Sequence, residues 1–130
     1  MARDVCDDLP MAATVLVVDD HPSFRRFARR LLEAAGLVVV GEAGDGASAL
    51  AAVLELRPDV VLLDVLLPDT TGFEVAQALA AGPERPLVVL TSSRSAADFG
   101  GFTGHHGAAC FIPKSELTVA ALAALVGEAA

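Results

Sequence analysis

The chain has 130 residues, 54% of them apolar and 20% charged, with 17 acidic side chains against 9 basic ones and a net charge of -8. That length fills the core of one ordinary domain, and the acidic balance argues against a nucleic-acid surface. No apolar run approaches the roughly 20 residues needed to cross a bilayer, and Cys6 and Cys110 stand in no CxxC or Cys/His spacing, which excludes a zinc or disulfide framework and fits a reducing cytoplasm.

Residues 1 to 13 form a polar, partly acidic lead-in that is expected to be flexible, leaving 14 to 130 as the folded domain. Apolar runs at 14 to 18, 37 to 40, 59 to 63, 86 to 90 and 108 to 112 are short, rich in valine or leucine, and alternate with stretches of helical period. Five strand-then-helix repeats follow. In the first helix Phe24, Phe27, Ala28, Leu31, Leu32 and Ala35 make an apolar stripe, with Arg25, Arg26, Arg29 and Arg30 turned to water and Gly36 at the stop. Leu50, Val53 and Leu54 mark the second helix, Phe73, Ala76 and Ala80 the third, and Val119, Leu122, Leu125 and Val126 the last. Between Arg94 and His106 the chain carries Gly100, Gly101 and Gly104, each worth roughly 1 kcal/mol against helix, so the fourth helix is expected to be short, frayed or mobile. Strands that are apolar throughout must be covered on both faces, which predicts a doubly wound, all-parallel α/β sheet.

Where those strands end is the more telling feature. Asp19 and Asp20 follow the first run, Asp64 the third, and Lys114, the single lysine, the fifth. In an open parallel sheet the carboxyl ends share one edge, and that edge is where such folds bind ligands. A pair of carboxylates about 4 Å apart repels by on the order of 4 kcal/mol at an effective dielectric near 20, so three of them gathered there call for a cation.

Four segments then carry a family likeness: Val17-Val18-Asp19-Asp20-His21-Pro22, Leu62 through Gly72, Leu90-Thr91-Ser92 and Phe111-Ile112-Pro113-Lys114-Ser115. Together, from Thr14 to about Ala129, they resemble the response-regulator receiver domain of two-component signalling. The resemblance implies a flavodoxin-like five-stranded parallel sheet in the order 2-1-3-4-5, and phosphorylation of Asp64 by a sensor histidine kinase. It implies Mg2+ held by Asp20, Asp64 and the backbone carbonyl of Leu66, with Asp19 acting through a metal-bound water. Thr91 and Lys114 would each meet a phosphoryl oxygen. Thr91 and Phe111 would form the switch, Phe111 standing where tyrosine is commoner, and the surface of the fourth helix, fifth strand and fifth helix would carry the output.

An all-oxygen set of this kind suits a hard octahedral cation that keeps several waters. Pro68 and Gly72 read as structural, the glycine for its conformational freedom. His21 reads as a helix-start residue and His105-His106 as a solvated loop, none of them metal ligands. Two further readings stay open. One is a degenerate receiver that acts as a constitutive interaction module; the other is a phosphohydrolase using Asp64 as nucleophile, against which stands Leu66 where such enzymes carry a second carboxylate. Segments Asp20-His21-Pro22 and Pro113 to Leu117 resemble receivers that precede helix-turn-helix output domains, so an output domain, a free-standing receiver and a homodimer all remain possible partners or states. The receiver itself is not expected to touch nucleic acid or membrane.

Overall fold

Uninterrupted valine and leucine runs can lie in a sheet only if both faces are covered, and the order of elements provides that cover. In the computed structural model, which describes residues 13–93 and 110–127, five strands form one parallel sheet: β1 (Thr14–Val18), β2 (Val38–Ala43), β3 (Val60–Asp64), β4 (Leu87–Ser92) and β5 (Cys110–Pro113). Their order is β2-β1-β3-β4-β5, so the chain reverses its winding direction at β1 and β3. Successive strand residues face opposite layers. Leu16, Val18, Val61 and Leu63 pack with Ala49 and Val53 of α2 (Gly46–Leu56) and with Val75, Ala76 and Leu79 of α3 (Gly72–Ala81). Val15, Val17, Val60 and Leu62 pack with Ala28 and Leu32 of α1 (Pro22–Ala34) and with Leu122 of α4 (Val119–Gly127), the helix numbered fifth in the sequence reading.

Several local expectations shift. Ala13, assigned to the lead-in, is fully buried and its carbonyl accepts the Val38 N–H at 2.9 Å, because the pairing of β1 with β2 starts one residue earlier than the apolar run. Phe27, Leu54 and Val119 belong to the periodic stripes yet stand 48%, 58% and 37% exposed, so these helices bury narrower faces than the pattern drew. In α3 the inward stripe is Gly72, Val75, Ala76 and Leu79, with Ala80 exposed. Gly72 sets that phase. A Cβ there would lie 2.4 Å from the Asp64 carbonyl oxygen and 2.9 Å from the Val65 Cα, so glycine is required for close approach rather than for unusual torsion angles. Gly36 does use its freedom, ending α1 at φ 91°.

The arginines of α1 are not all turned to water. Arg25 donates from Nε to Glu42 at 2.9 Å and from Nη1 to the Asp19 carbonyl, while Arg29 reaches the same Glu42 at 2.9 Å. These bonds pin α1 to the β2 edge, and the two guanidiniums outweigh the burial that works against ionisation, holding the Glu42 carboxyl below its ordinary range. The glycine-rich fourth-helix region, the His105-His106 pair and Cys6 lie outside the described residues.

Candidate functional site

Asp19 continues β1 by one residue, its N–H donating to the Ala43 carbonyl at 3.0 Å, and its side chain is fully buried. Asp64 closes β3 on the adjoining strand and is 4% exposed. Lys114 opens the short 3-10 turn after β5 and spans the gap: its Nζ lies 2.7 Å from Asp19 Oδ2 and 3.6 Å from Asp64 Oδ2. Phe24, from the first turn of α1, lies beneath that ammonium with its ring centroid 4.1 Å away. The cation is thus fixed by two carboxylates and an aromatic face.

Asp20 sits beside this trio, exposed. One ligand atom each from Asp19, Asp20, His21 and Asp64 falls within 4.8 Å of every other. His21 is the surprise. It caps α1 without a side-chain bond, as its position at a helix start implies, but its Nδ1 lies 3.1 Å from Asp19 and 3.0 Å from Asp20.

Two buried carboxylates share one ammonium unequally. For Asp19, burial favours the neutral form, but the Lys114 bond, the His21 N–H at 2.8 Å and the field of Lys114 prevail and hold the carboxyl below its usual range. Asp64 goes the other way, pushed up to about 6, chiefly by burial and secondly by the charge of Asp19, against the opposing pull of Lys114. Its one described backbone partner, the Leu66 N–H, is distant at 3.4 Å.

Thr91 stands beside Asp64 on β4, fully buried, and its hydroxyl has no hydrogen-bond partner among the described residues. A buried hydroxyl without a partner costs about 1–3 kcal/mol, so this one adds nothing to the fold through bonds among the described residues. Phe111 is half-buried and packs against the cluster that contains Leu90 and Val65. The β4-β5 ladder pairs it with Leu90 and sets Ile112 beside Thr91, so Phe111 is one ladder position from the threonine.

The donor set fits a hard divalent cation. Its oxygens come from carboxylates, they converge at one edge, and they carry a repulsion that a single lysine only partly relieves. Phe24, Arg25 and His21 contribute to this region although sequence reasoning gave them no part in the site. For Phe24 and Arg25 the signal was nearness to the Asp19-Asp20 pair: Arg25 meets the Asp19 carbonyl a few residues back, whereas Phe24 finds Lys114 far along the chain.

A flavodoxin-like sheet with an acidic pocket and a lysine at its switch point defines a class of signalling proteins. The chain belongs to the response regulator receiver domain family, whose model matches residues 15–126, and it is the receiver domain of a two-component response regulator. The DNA-binding response regulator MtrA of Mycolicibacterium smegmatis is 42% identical over 88 residues, 68% of this chain and 38% of that protein. Protein-glutamate methylesterase/protein-glutamine glutaminase 3 of Hahella chejuensis is 38% identical over 84 residues, 65% of this chain and 24% of that protein. Among solved structures, a two-component response regulator of the LuxR family from Aurantimonas sp. superposes with a TM-score of 0.74 at 30% identity, covering 80% of this chain and 75% of that one. The matched segment thus spans well under half the length of these two curated relatives. No helix among the described residues is long and apolar enough to cross a membrane.

Proposed function

We propose that this domain is a Mg2+-dependent phosphoacceptor that takes a phosphoryl group from a sensor histidine kinase onto Asp64, in the cytoplasm. The observation that carries the reading is the convergence of Asp64, Asp19 and Lys114 at the switch point, with the Thr91 hydroxyl, which has no partner among the described residues, alongside. Asp20, Asp64 and the Leu66 carbonyl would hold the cation directly, and Asp19 through water. When bound, Mg2+ would neutralise charge on the carboxylates and on the incoming phosphoryl oxygens.

The remaining chemistry belongs to the chain's own side chains. An Asp64 carboxylate oxygen attacks phosphorus in line as the nitrogen–phosphorus bond of the donor histidine breaks, forming an acyl phosphate. Lys114 already lies within 3.6 Å of Asp64 and pairs with one phosphoryl oxygen, while the Thr91 hydroxyl donates to another. Close to two negative charges arrive at this edge, and Thr91 is drawn toward them. The space it leaves admits Phe111, which shifts the surface of β5 and the C-terminal helix α4, the described part of the output face. The phosphoryl group stays on the domain, so the chain acts as a switch and not as a turnover enzyme on external substrates. Output would pass to a further domain of a longer protein or to a separate partner protein.

Incubation with acetyl phosphate and Mg2+ tests the acceptor: the native chain gains one phosphoryl group by intact mass, and Asp64→Ala gains none. Labelling of the variant at the native rate would overturn the assignment. Beryllofluoride with Mg2+ should move the amide resonances of Thr91 and Phe111. No response at millimolar concentrations would favour the degenerate receiver instead.

A further inference from the structure

We propose that Asp69 is a positioning residue, clamping the loop between β3 and α3 onto the start of α2 so that the Leu66 carbonyl is held ready for the cation; the inference rests on the Mg2+ reading above. Asp69 is not in the acidic cluster, and its carboxylate is committed elsewhere. Oδ1 accepts the Gly46 N–H at 2.8 Å and Oδ2 accepts the Ala47 N–H at 3.1 Å. Both amides belong to the first turn of α2, where helical N–H groups lack internal partners and a negative charge is favoured.

Packing reinforces the clamp. A Cβ on the buried Gly46 would lie 2.3 Å from Thr70 Cγ2 and 3.2 Å from Val75 Cγ2, so the loop rests directly on the helix start. At its base the same loop is closed by the Gly72 N–H to the Val65 carbonyl at 2.6 Å and by the bridge between Leu66 and Thr71. Leu66 therefore lies in a segment tied at the base to β3 and at its tip to α2. Only the tip depends on a side chain that sequence patterning left without a role. A loop released at the tip must be ordered when a ligand binds, and that entropy is subtracted from affinity.

Mg2+ titrations followed by amide resonances, at fixed ionic strength, test the clamp in the native chain, Asp69→Ala, Asp69→Asn and Gly46→Ala. Asp69→Ala should bind Mg2+ about tenfold more weakly, the scale on which residues behind the ligands act, while phosphorylation by acetyl phosphate at saturating Mg2+ returns to near the native rate. Asp69→Asn, which keeps one acceptor, should recover part of the affinity. Gly46→Ala removes no charge yet forces Thr70 away, and should weaken binding in the same direction. Native affinity in Asp69→Ala, or a loss there with none in Gly46→Ala, overturns the clamp alone. A native chain that gives no Mg2+ response at Asp20 or Asp64 overturns the functional reading and the clamp together.

Discussion

Replacing Asp64 by asparagine should stabilise the metal-free protein at alkaline pH, because the Asp64 carboxylate is held where its ionised form is disfavoured. Its ordinary pKa of 3.8 rises to about 6 in the fold, chiefly through burial. Roughly two pKa units at 1.36 kcal/mol each set a ceiling of about 3 kcal/mol on the cost of ionising it, and rearrangement of Lys114 toward Asp19 should leave about 1–2 kcal/mol. The sign follows from proton binding. Above pH 6 the native carboxylate is charged in both states and the full penalty acts; between 6 and 3.8 the folded state takes up a proton that the unfolded state lacks, and the penalty fades; below 3.8 both states are neutral there. Urea titrations followed by circular dichroism, in chelator, should place the variant above the native chain near pH 8 and bring the two together near pH 4. Adding Mg2+ should narrow the gap at pH 8 by stabilising the native chain through binding. A variant no more stable than native at pH 8, or a gap that ignores pH between 4 and 8, would refute the reasoning.

Thr91→Val should raise stability by about 1 kcal/mol, since it replaces a buried hydroxyl that lacks a partner among the described residues with a methyl of the same size, and intact-mass kinetics with acetyl phosphate should show slower phosphorylation. A loss of stability would mean that the hydroxyl is bonded in solution. Lys114→Met should cost about 2 kcal/mol near neutral pH by leaving buried Asp19 without its cation. Asp19's lowered pKa contributes stability above 3.8 that is lost on acidification through its folded value, so urea midpoints of the native chain and this variant should draw together as the pH falls below 3.8.

Strand positions were legible because a parallel sheet covered on both sides demands apolar runs, whereas the strand order, which the structure bears out, came only with the family resemblance. The same runs located the site, since Asp19, Asp64 and Lys114 each follow one. What patterning could not supply was the division of labour between neighbours. Asp19 and Asp20 are identical in type and adjacent, yet one is fully buried and the other exposed, because successive positions leaving a strand turn to opposite sides. Arginine composition alone marked Arg25 as solvated, whereas Glu42, 17 residues away on β2, claims it. Asp69 finds its helix 23 residues back along the chain. Gly72 was assigned to the right place for the wrong reason, since the contact that forbids a side chain is with the backbone of β3 and leaves no trace in local sequence.

The unequal sharing of Lys114 bears on how the acceptor is made reactive. At 2.7 Å from Asp19 and 3.6 Å from Asp64, the ammonium mainly supports Asp19 rather than the proposed acceptor. Asp19 keeps its charge, and that charge is one of the causes that lift Asp64 toward the neutral form. Below about pH 6 the proposed acceptor is therefore largely protonated and a poor nucleophile in the absence of a cation, while Asp19 preserves the charge that attracts one. A cation held by Asp20 and Asp64 would favour ionisation of Asp64 and compete with Lys114 for the charge of Asp19, leaving the ammonium freer to meet an incoming phosphoryl oxygen. On this account Asp19 matters as much for what it withholds from Asp64 as for any ligand it contributes.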